Sequence, residues 1–242
     1  MKYSVIIPIK NEEENIKDLV QEIEPVMESL AQKWELICID DGSTDRSLLI
    51  LQDLCKQRSH MRILSFTRNF GQSAAFSAGF KAARGEIVIT LDGDRQNDPA
   101  DIPKLTAALT DCDLVVGWRV NRKDTFQKKI ISRISNWTRS RLCADGMHDT
   151  GCSLKVYRKE ALDHIKMYQG MHRFLPALFK IEGFRIKEIP VNHRERACGT
   201  TKYHFFNRSL GPIIDMFVVR WMRYHALRHQ IREEITHEKL VR

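Results

Sequence analysis

No two glycines of this 242-residue chain stand two positions apart, and no GxxxxGKS/T occurs. Neither a dinucleotide fingerprint nor a phosphate loop is therefore available. No CxxC is present, and the six cysteines, Cys38, Cys55, Cys112, Cys143, Cys152 and Cys198, are too scattered for a disulfide framework, so a reducing compartment is the economical expectation. Nowhere does an apolar run approach the roughly 20 residues needed to span a bilayer. The opening MKYSVIIPIKNEEE turns acidic after an apolar stretch too short for a secretory signal. Cytoplasmic residence is expected, with adhesion to the cytoplasmic face of a membrane left open. The net charge of +8 is not accompanied by any nucleic-acid module or aromatic-basic stacking platform, which argues against nucleic acid as partner.

What the chain does have is a repeated strand-then-helix alternation. Short apolar runs at 3–7, 35–39, 62–66, 86–91 and 113–116 read as strands, and amphipathic patterns at 13–30, 45–57, 73–83 and 102–109 read as helices. The expected fold is α/β: a mostly parallel central sheet flanked by helices. Ligands of such sheets bind beyond the carboxyl ends of the strands. There the first strand delivers Pro8, Lys10, Asn11 and Glu12, the second Asp40, Asp41, Gly42 and Ser43, and the fourth Asp92 and Asp94.

Carboxylates crowded at the ends of buried strands repel one another and lose hydration, and the candidates that would offset this are a divalent cation, a row of backbone N–H groups, or nothing more than a solvated helix start. For DDGSTDRS (40–47) the plain alternative is a turn, with Ser43 or Thr44 capping the helix that Asp45 helps to start. For the two acidic clusters together, a divalent ion bridging a diphosphate supplies a shared purpose, and hard oxygen ligands suit Mg2+ or Mn2+. Asp98-Pro99 reads differently, as a helix cap followed by proline in the first turn.

VIIPIKNEEENI, ICIDDGSTDRS, SFTRNFGQSAAFSAGFKAARGEIVITLDGDRQNDP, DLVVGWR and RACGTTKY, in that order, resemble the motif series of the inverting family 2 glycosyltransferases, which have the GT-A fold. Within them they are most similar to the dolichyl- and polyprenyl-phosphate hexosyltransferases, the group typified by dolichyl-phosphate mannose synthase. The resemblance implies a nucleotide-sugar donor, GDP-mannose or a UDP-hexose, and a polyprenyl-phosphate acceptor. It places Pro8, Glu12 and Asp41 at base and ribose with Asp40 in support, and Asp92, Asp94 and Gln96 at the metal. Arg196 and Lys202, with Tyr203 nearby, fall in the loop that closes over the donor, and Arg119 and Arg133 receive the lipid phosphate. Lys10 stands where the family usually has an aromatic, which leaves the base open. Asp149, in MHDTGCSLKVYR, corresponds to an acidic residue that acts as base toward sugar hydroxyls. A lipid phosphate is already ionised near neutral pH, so here Asp149 is assigned to orientation, and His148 to local hydrogen bonding. A sugar-hydroxyl acceptor, with Asp149 as a true base, is the alternative.

Residues 119–141 hold eight cations against Asp124 alone, a net +7. Phe126, Ile130, Ile134 and Trp137 recur at helical spacing among them, a pattern fit either for core packing or for an anionic membrane surface. In SLGPIIDMFVVRWMRYHALRHQ (209–230), Ile213, Ile214, Phe217, Val218, Trp221 and Met222 form a second stripe, with three readings: a docked helix, a homo-oligomer contact or an interfacial helix. The chain is accordingly divided into a catalytic domain, 1–206, and a C-terminal membrane-associating or docking helix and tail, 207–242.

Overall fold

A computed structural model of the protein describes residues 1–120, 141–143, 146–195 and 210–227. Strands β1 (Tyr3–Ile9), β2 (Trp34–Asp40), β3 (Met61–Ser65), β4 (Ile87–Thr90), β5 (Leu114–Arg119), β6 (Lys155–Arg158) and β7 (Ile186–Val191) form one sheet in the order β3-β2-β1-β4-β6-β5-β7. Only β6 runs against the rest: it is antiparallel to both β4 and β5, and the other pairings are parallel.

The two faces of the sheet follow from the period-two alternation of side chains. Val5, Ile7, Ile9, Leu36 and Cys38 enter one core layer with helices α1 (Ile16–Ser29), α2 (Ser47–Lys56) and α4 (Ile102–Ala107). Ile6, Ile37 and Ile39 enter the opposite layer with α3 (Gln72–Ala82), α5 (Lys159–Asp163) and α6 (Leu175–Ile181). Burial on both sides explains why these strands read as unbroken apolar runs, and each fully buried aliphatic side chain contributes about 1.5–3 kcal/mol. Helix α3 sits so close to the sheet that a Cβ on Gly79 would meet Ile6 Cγ2 at 2.5 Å.

The five strands and four helices read from the sequence are all present, with small shifts at their ends. Helix α1 begins at Ile16, three residues late, because the backbone N–H groups of Asn15 and Ile16 close a turn on the Glu12 carbonyl. The capping reading of Ser43 and Thr44 is corrected. Helix α2 begins at Ser47, and Asp45 Oδ1 accepts from the Ser47 N–H at 2.9 Å. The Ser43 and Thr44 hydroxyls instead accept from the backbone N–H and side-chain amide of Asn11. Asp98 is a cap as expected: it accepts from Ala100 N–H at 3.0 Å, with Pro99 opening the 3-10 turn Pro99–Asp101. The described cysteines Cys38, Cys55, Cys112, Cys143 and Cys152 are free thiols.

Helix α7 (Leu210–His225) docks through Val219, Met216 and Met222 onto Cys143, Met171, Phe174, Ala177 and Leu178. Its other face, Ile213, Ile214, Phe217, Val218, Trp221 and Tyr224, is exposed. Met222 thus packs inward, apart from the stripe to which its spacing assigned it. Among the described residues no helix is long and apolar enough to cross a membrane. The 206/207 division lies outside the described residues.

Candidate active site

The polar residues sit at the carboxyl rim of the sheet because parallel strands all end there. The inverted β6 adds one more segment to that rim. Its first residue, Lys155, lies opposite Thr90 of β4 and Val116 of β5, so the chain from Asp149 to Leu154 enters the sheet where Asp92 and Arg119 leave it.

At one corner the loops after β1 and β2 are laced together. Thr44 N–H donates to Asn11 Oδ1 at 2.7 Å, Glu12 N–H donates to Ser47 Oγ at 2.9 Å, and the Lys10 ammonium donates to the Gly42 carbonyl. Gly42 has φ +63°, and a Cβ there would fall 2.5 Å from the backbone carbon of Arg68. No other residue fits both the conformation and the approach. Asp40 accepts from Ser43 N–H and the Ser65 hydroxyl. Asp41, buried, accepts from the N–H groups of Phe70 and Gly71 at 2.7 and 2.9 Å, fixing the RNFG turn, while Pro8 and Glu12 at the end of β1 are half-buried. A carboxylate has further lone pairs, so Asp41 can still accept from a ribose hydroxyl.

At the centre, Asp92 Oδ1 accepts from Gln72 Nε2 at 2.8 Å, and Asp92 N–H donates to Asn97 Oδ1. Burial and then the charge of Asp94 push the Asp92 carboxyl up, against the opposing influence of Ser153, Lys155 and Arg119. Asp94 Oδ1 accepts from Gln96 N–H at 3.2 Å, so these side chains share one tight turn. Two mutually repelling carboxylates and an amide make an all-oxygen donor set of the type that suits Mg2+ or Mn2+. Among the described residues no three His, Cys, Asp or Glu side chains form a ready cage. That also fits, because these ions are commonly held by one or two carboxylates together with substrate phosphates.

Where β5 ends, the Arg119 guanidinium forks onto Asp149, Nε to Oδ2 at 2.6 Å and Nη2 to Oδ1 at 2.9 Å. Asp149 Oδ1 also takes the Gly151 N–H, and the Glu188 carboxylate of β7 accepts from the backbone N–H groups of His148 and Asp149. His148 stacks on Trp118 with its Nδ1 2.8 Å from Glu188 Oε2, which is the local role expected of it. Lys155 is fully buried close by and donates to the Cys152 carbonyl; burial pulls its ammonium down, and the charges of Asp149 and Asp92 act to restore it.

The structure therefore brings Asp92, Asp94, Gln96, Arg119 and Asp149 to one rim, with Pro8, Glu12, Asp40 and Asp41 at the adjoining corner. Arg133, Arg196 and Lys202, like Tyr203, lie outside the described residues. Four contributors escaped the sequence reading. Gln72 sits inside the RNFGQ stretch, whereas Lys155, Ser153 and Glu188 belong to β6, its approach and β7, strands that were not anticipated. A lysine opening a short apolar run (KVYR) was the available signal.

This topology, a mostly parallel sheet whose carboxyl rim gathers Asp92, Asp94, Arg119 and Asp149, is that of the GT-A fold. Residues 4–166 match the model of glycosyl transferase family 2, and the chain belongs to that family. It is 41% identical over 233 residues to the dodecaprenyl-phosphate galacturonate synthase of Rhizobium johnstonii, covering 93% of this chain and 69% of that protein. It is 39% identical over 217 residues to an undecaprenyl-phosphate 4-deoxy-4-formamido-L-arabinose transferase of Salmonella choleraesuis, covering 89% and 66%. The chain thus spans about two-thirds of the length of these relatives. Among solved structures, glucosyl-3-phosphoglycerate synthase from Mycobacterium tuberculosis with UDP superimposes with a TM-score of 0.68 at 19% identity, over 92% of this chain and 79% of that one. The same enzyme with Mn2+ and UDP-glucose gives 0.61 at 21%, over 90% and 75%. These likenesses concern the fold.

Proposed function

We propose that the protein transfers a glycosyl group from a nucleoside diphosphate sugar to a polyprenyl phosphate, with inversion at the anomeric carbon. The observation that carries this reading is the Arg119–Asp149 fork: both oxygens of Asp149 are engaged by a partly buried cation. A carboxylate whose two oxygens both face a guanidinium is a good anchor for an arginine, which suits an acceptor that arrives already ionised. The similarity to two prenyl-phosphate transferases supports the same acceptor class.

In this account a phosphate oxygen of the lipid attacks the anomeric carbon from the side opposite the nucleotide. The anomeric C–O bond breaks, and its electron pair leaves with the nucleoside diphosphate. Arg119 orients the incoming phosphate, and Asp149 holds Arg119. The corner built by Pro8, Glu12, Asp40 and Asp41 receives the nucleoside. Asp92, Asp94 and Gln96 would hold Mg2+ or Mn2+, whose chemistry is to neutralise charge on the diphosphate. From the sequence alone, Arg133 joins Arg119 at the lipid phosphate, and Arg196 and Lys202 close over the donor.

We further propose a catalytic unit of 1–206 and a lipid-meeting unit of 207–242 working at a membrane surface. The exposed apolar face of α7, with Trp221 and Tyr224 toward its end and Arg220 and Arg223 alongside, supports an interfacial position on anionic lipid. The test is a product screen: GDP-mannose, UDP-glucose, UDP-galacturonate and UDP-N-acetylglucosamine, each with a short polyprenyl phosphate and Mg2+ or Mn2+. A glycosyl lipid phosphate from one donor is expected. Sugar appearing only on a glycan hydroxyl would overturn the reading.

A further inference from the structure

The DGDRQ turn holds a residue that no metal-binding pattern requires to be charged. Arg95 lies between Asp94 and Gln96 with φ +60°, a left-handed conformation that side-chain-bearing residues adopt at a cost. Its guanidinium reaches away from the turn to helix α1, where Nη1 meets Asp18 Oδ2 and Nη2 meets Glu22 Oε1, each at 2.5 Å. Asp18 and Glu22 are one helical turn apart. The helix that presents them is fixed from its other side, because Ile16, Leu19, Val20, Ile23 and Met27 are buried in the core. Glu22 accepts a second arginine: Arg194 Nη1 at 2.6 Å, while Arg194 Nη2 reaches Asp98 and its backbone N–H donates to the Gln96 carbonyl. The turn is thereby pinned to α1 on both sides, through a network rather than an isolated surface pair.

Because Asp94 and Gln96 flank Arg95, a change of φ at position 95 swings the two apart. We infer that Arg95, gripped by Asp18 and Glu22, is the positioning residue that keeps Asp94 and Gln96 aimed at a common cation. The inference rests on the metal-site reading given above, and it makes Glu22, a residue outside the turn, part of the same device.

Its sign distinguishes it from simple electrostatics. A guanidinium next to a divalent cation repels it, so deleting an idle Arg95 would leave Mn2+ binding unchanged or tighter. The experiment is Mn2+ titration of the full-length protein with UDP or GDP present, read as free Mn2+ by electron paramagnetic resonance, alongside thermal melts. Arg95→Ala is expected to weaken Mn2+ binding about tenfold, as the left-handed conformation loses its support. Arg95→Gly, which reaches that conformation freely, should fall between wild type and Arg95→Ala. Glu22→Gln, placed on the helix and away from the ligands, should weaken binding about threefold and covers the case in which the position 95 variants do not fold. Wild-type binding of Mn2+ with Arg95→Ala or Glu22→Gln equal or tighter overturns the inference, as does Arg95→Gly binding no better than Arg95→Ala. Failure of the wild type to bind Mn2+ overturns the metal-site reading itself, and the positioning role with it.

Discussion

Asp149→Asn is the substitution that separates an anchoring carboxylate from a catalytic base. Arg119 and Asp149 are mostly withdrawn from water, with side chains 16% and 9% exposed. Removing one partner of a buried ion pair costs about 3–5 kcal/mol, because the remaining charge loses its compensation. Asparagine keeps one acceptor oxygen, worth roughly 1 kcal/mol as a single hydrogen bond, but turns an amide N–H group toward the guanidinium. Lys155, a buried cation near Arg119, then repels it with one compensating carboxylate fewer, Asp92 alone acting on both charges. A loss of about 2–4 kcal/mol follows, and for a chain of this size that lowers the melting temperature by about 4–8 °C. In transfer assays the acceptor KM should rise about tenfold, the value of one charge-assisted contact, while donor affinity changes less than about threefold. Calorimetric melts and steady-state kinetics with acceptor and donor varied separately measure both. A melting temperature within about 1 °C of wild type would refute the ion-pair argument. A collapse of kcat with unchanged acceptor KM would return Asp149 to the role of base.

Asp94→Asn should abolish metal-dependent donor binding and reduce transfer at least about a hundredfold, with an unchanged melt, because it removes charge and no core volume; isothermal titration with and without metal checks it. Burial works against the charge of Glu35, but hydrogen bonds from Arg62, Ser4 and the Arg84 N–H win and hold its carboxyl below the usual range. Its contribution is therefore present above the unfolded value of about 4.3 and disappears as the pH falls through the lower folded value. Glu35→Gln should accordingly be about 2 kcal/mol less stable at pH 7, with the deficit shrinking in urea melts below about pH 4. Trp221→Glu, on the exposed face of α7, should leave stability within about 0.5 kcal/mol and lower sedimentation with anionic vesicles about tenfold.

The strands and helices of the first half were legible because both faces of the sheet are buried, and burial writes itself as apolar runs and amphipathic periods. The acidic pair at Asp92 and Asp94 and the DDGS turn were legible for the opposite reason: charge at the end of a buried strand is out of place. Beyond residue 120 the reading thinned. Strand β7 (IKEIPV) is only partly buried and carries Lys187, Glu188 and Pro190, so it lacks both a hydrophobic run and a clean alternation. β6 is four residues long and opens with a buried lysine, which no pattern of polar and apolar residues would place inside. Local sequence offers the hydroxyls of Ser43 and Thr44 a helix start as one of two readings. Tertiary contact with Asn11, 32 and 33 residues away in the chain, took them elsewhere. The helix that carries the exposed stripe was visible in its spacing. Which side faces the protein was decided by Val219, whose partners come from segments that sequence periodicity does not connect.

The central claim is that the acceptor is a phosphate that needs no base. The most direct measurement compares transfer from the active donor to a short polyprenyl phosphate and to the corresponding free polyprenol, under the same metal and detergent. The account predicts glycosyl transfer to the phosphate, its loss on chelation of the metal, and no product with the alcohol. Comparable transfer to the alcohol, with a rate that rises as a carboxylic acid ionises, would contradict it.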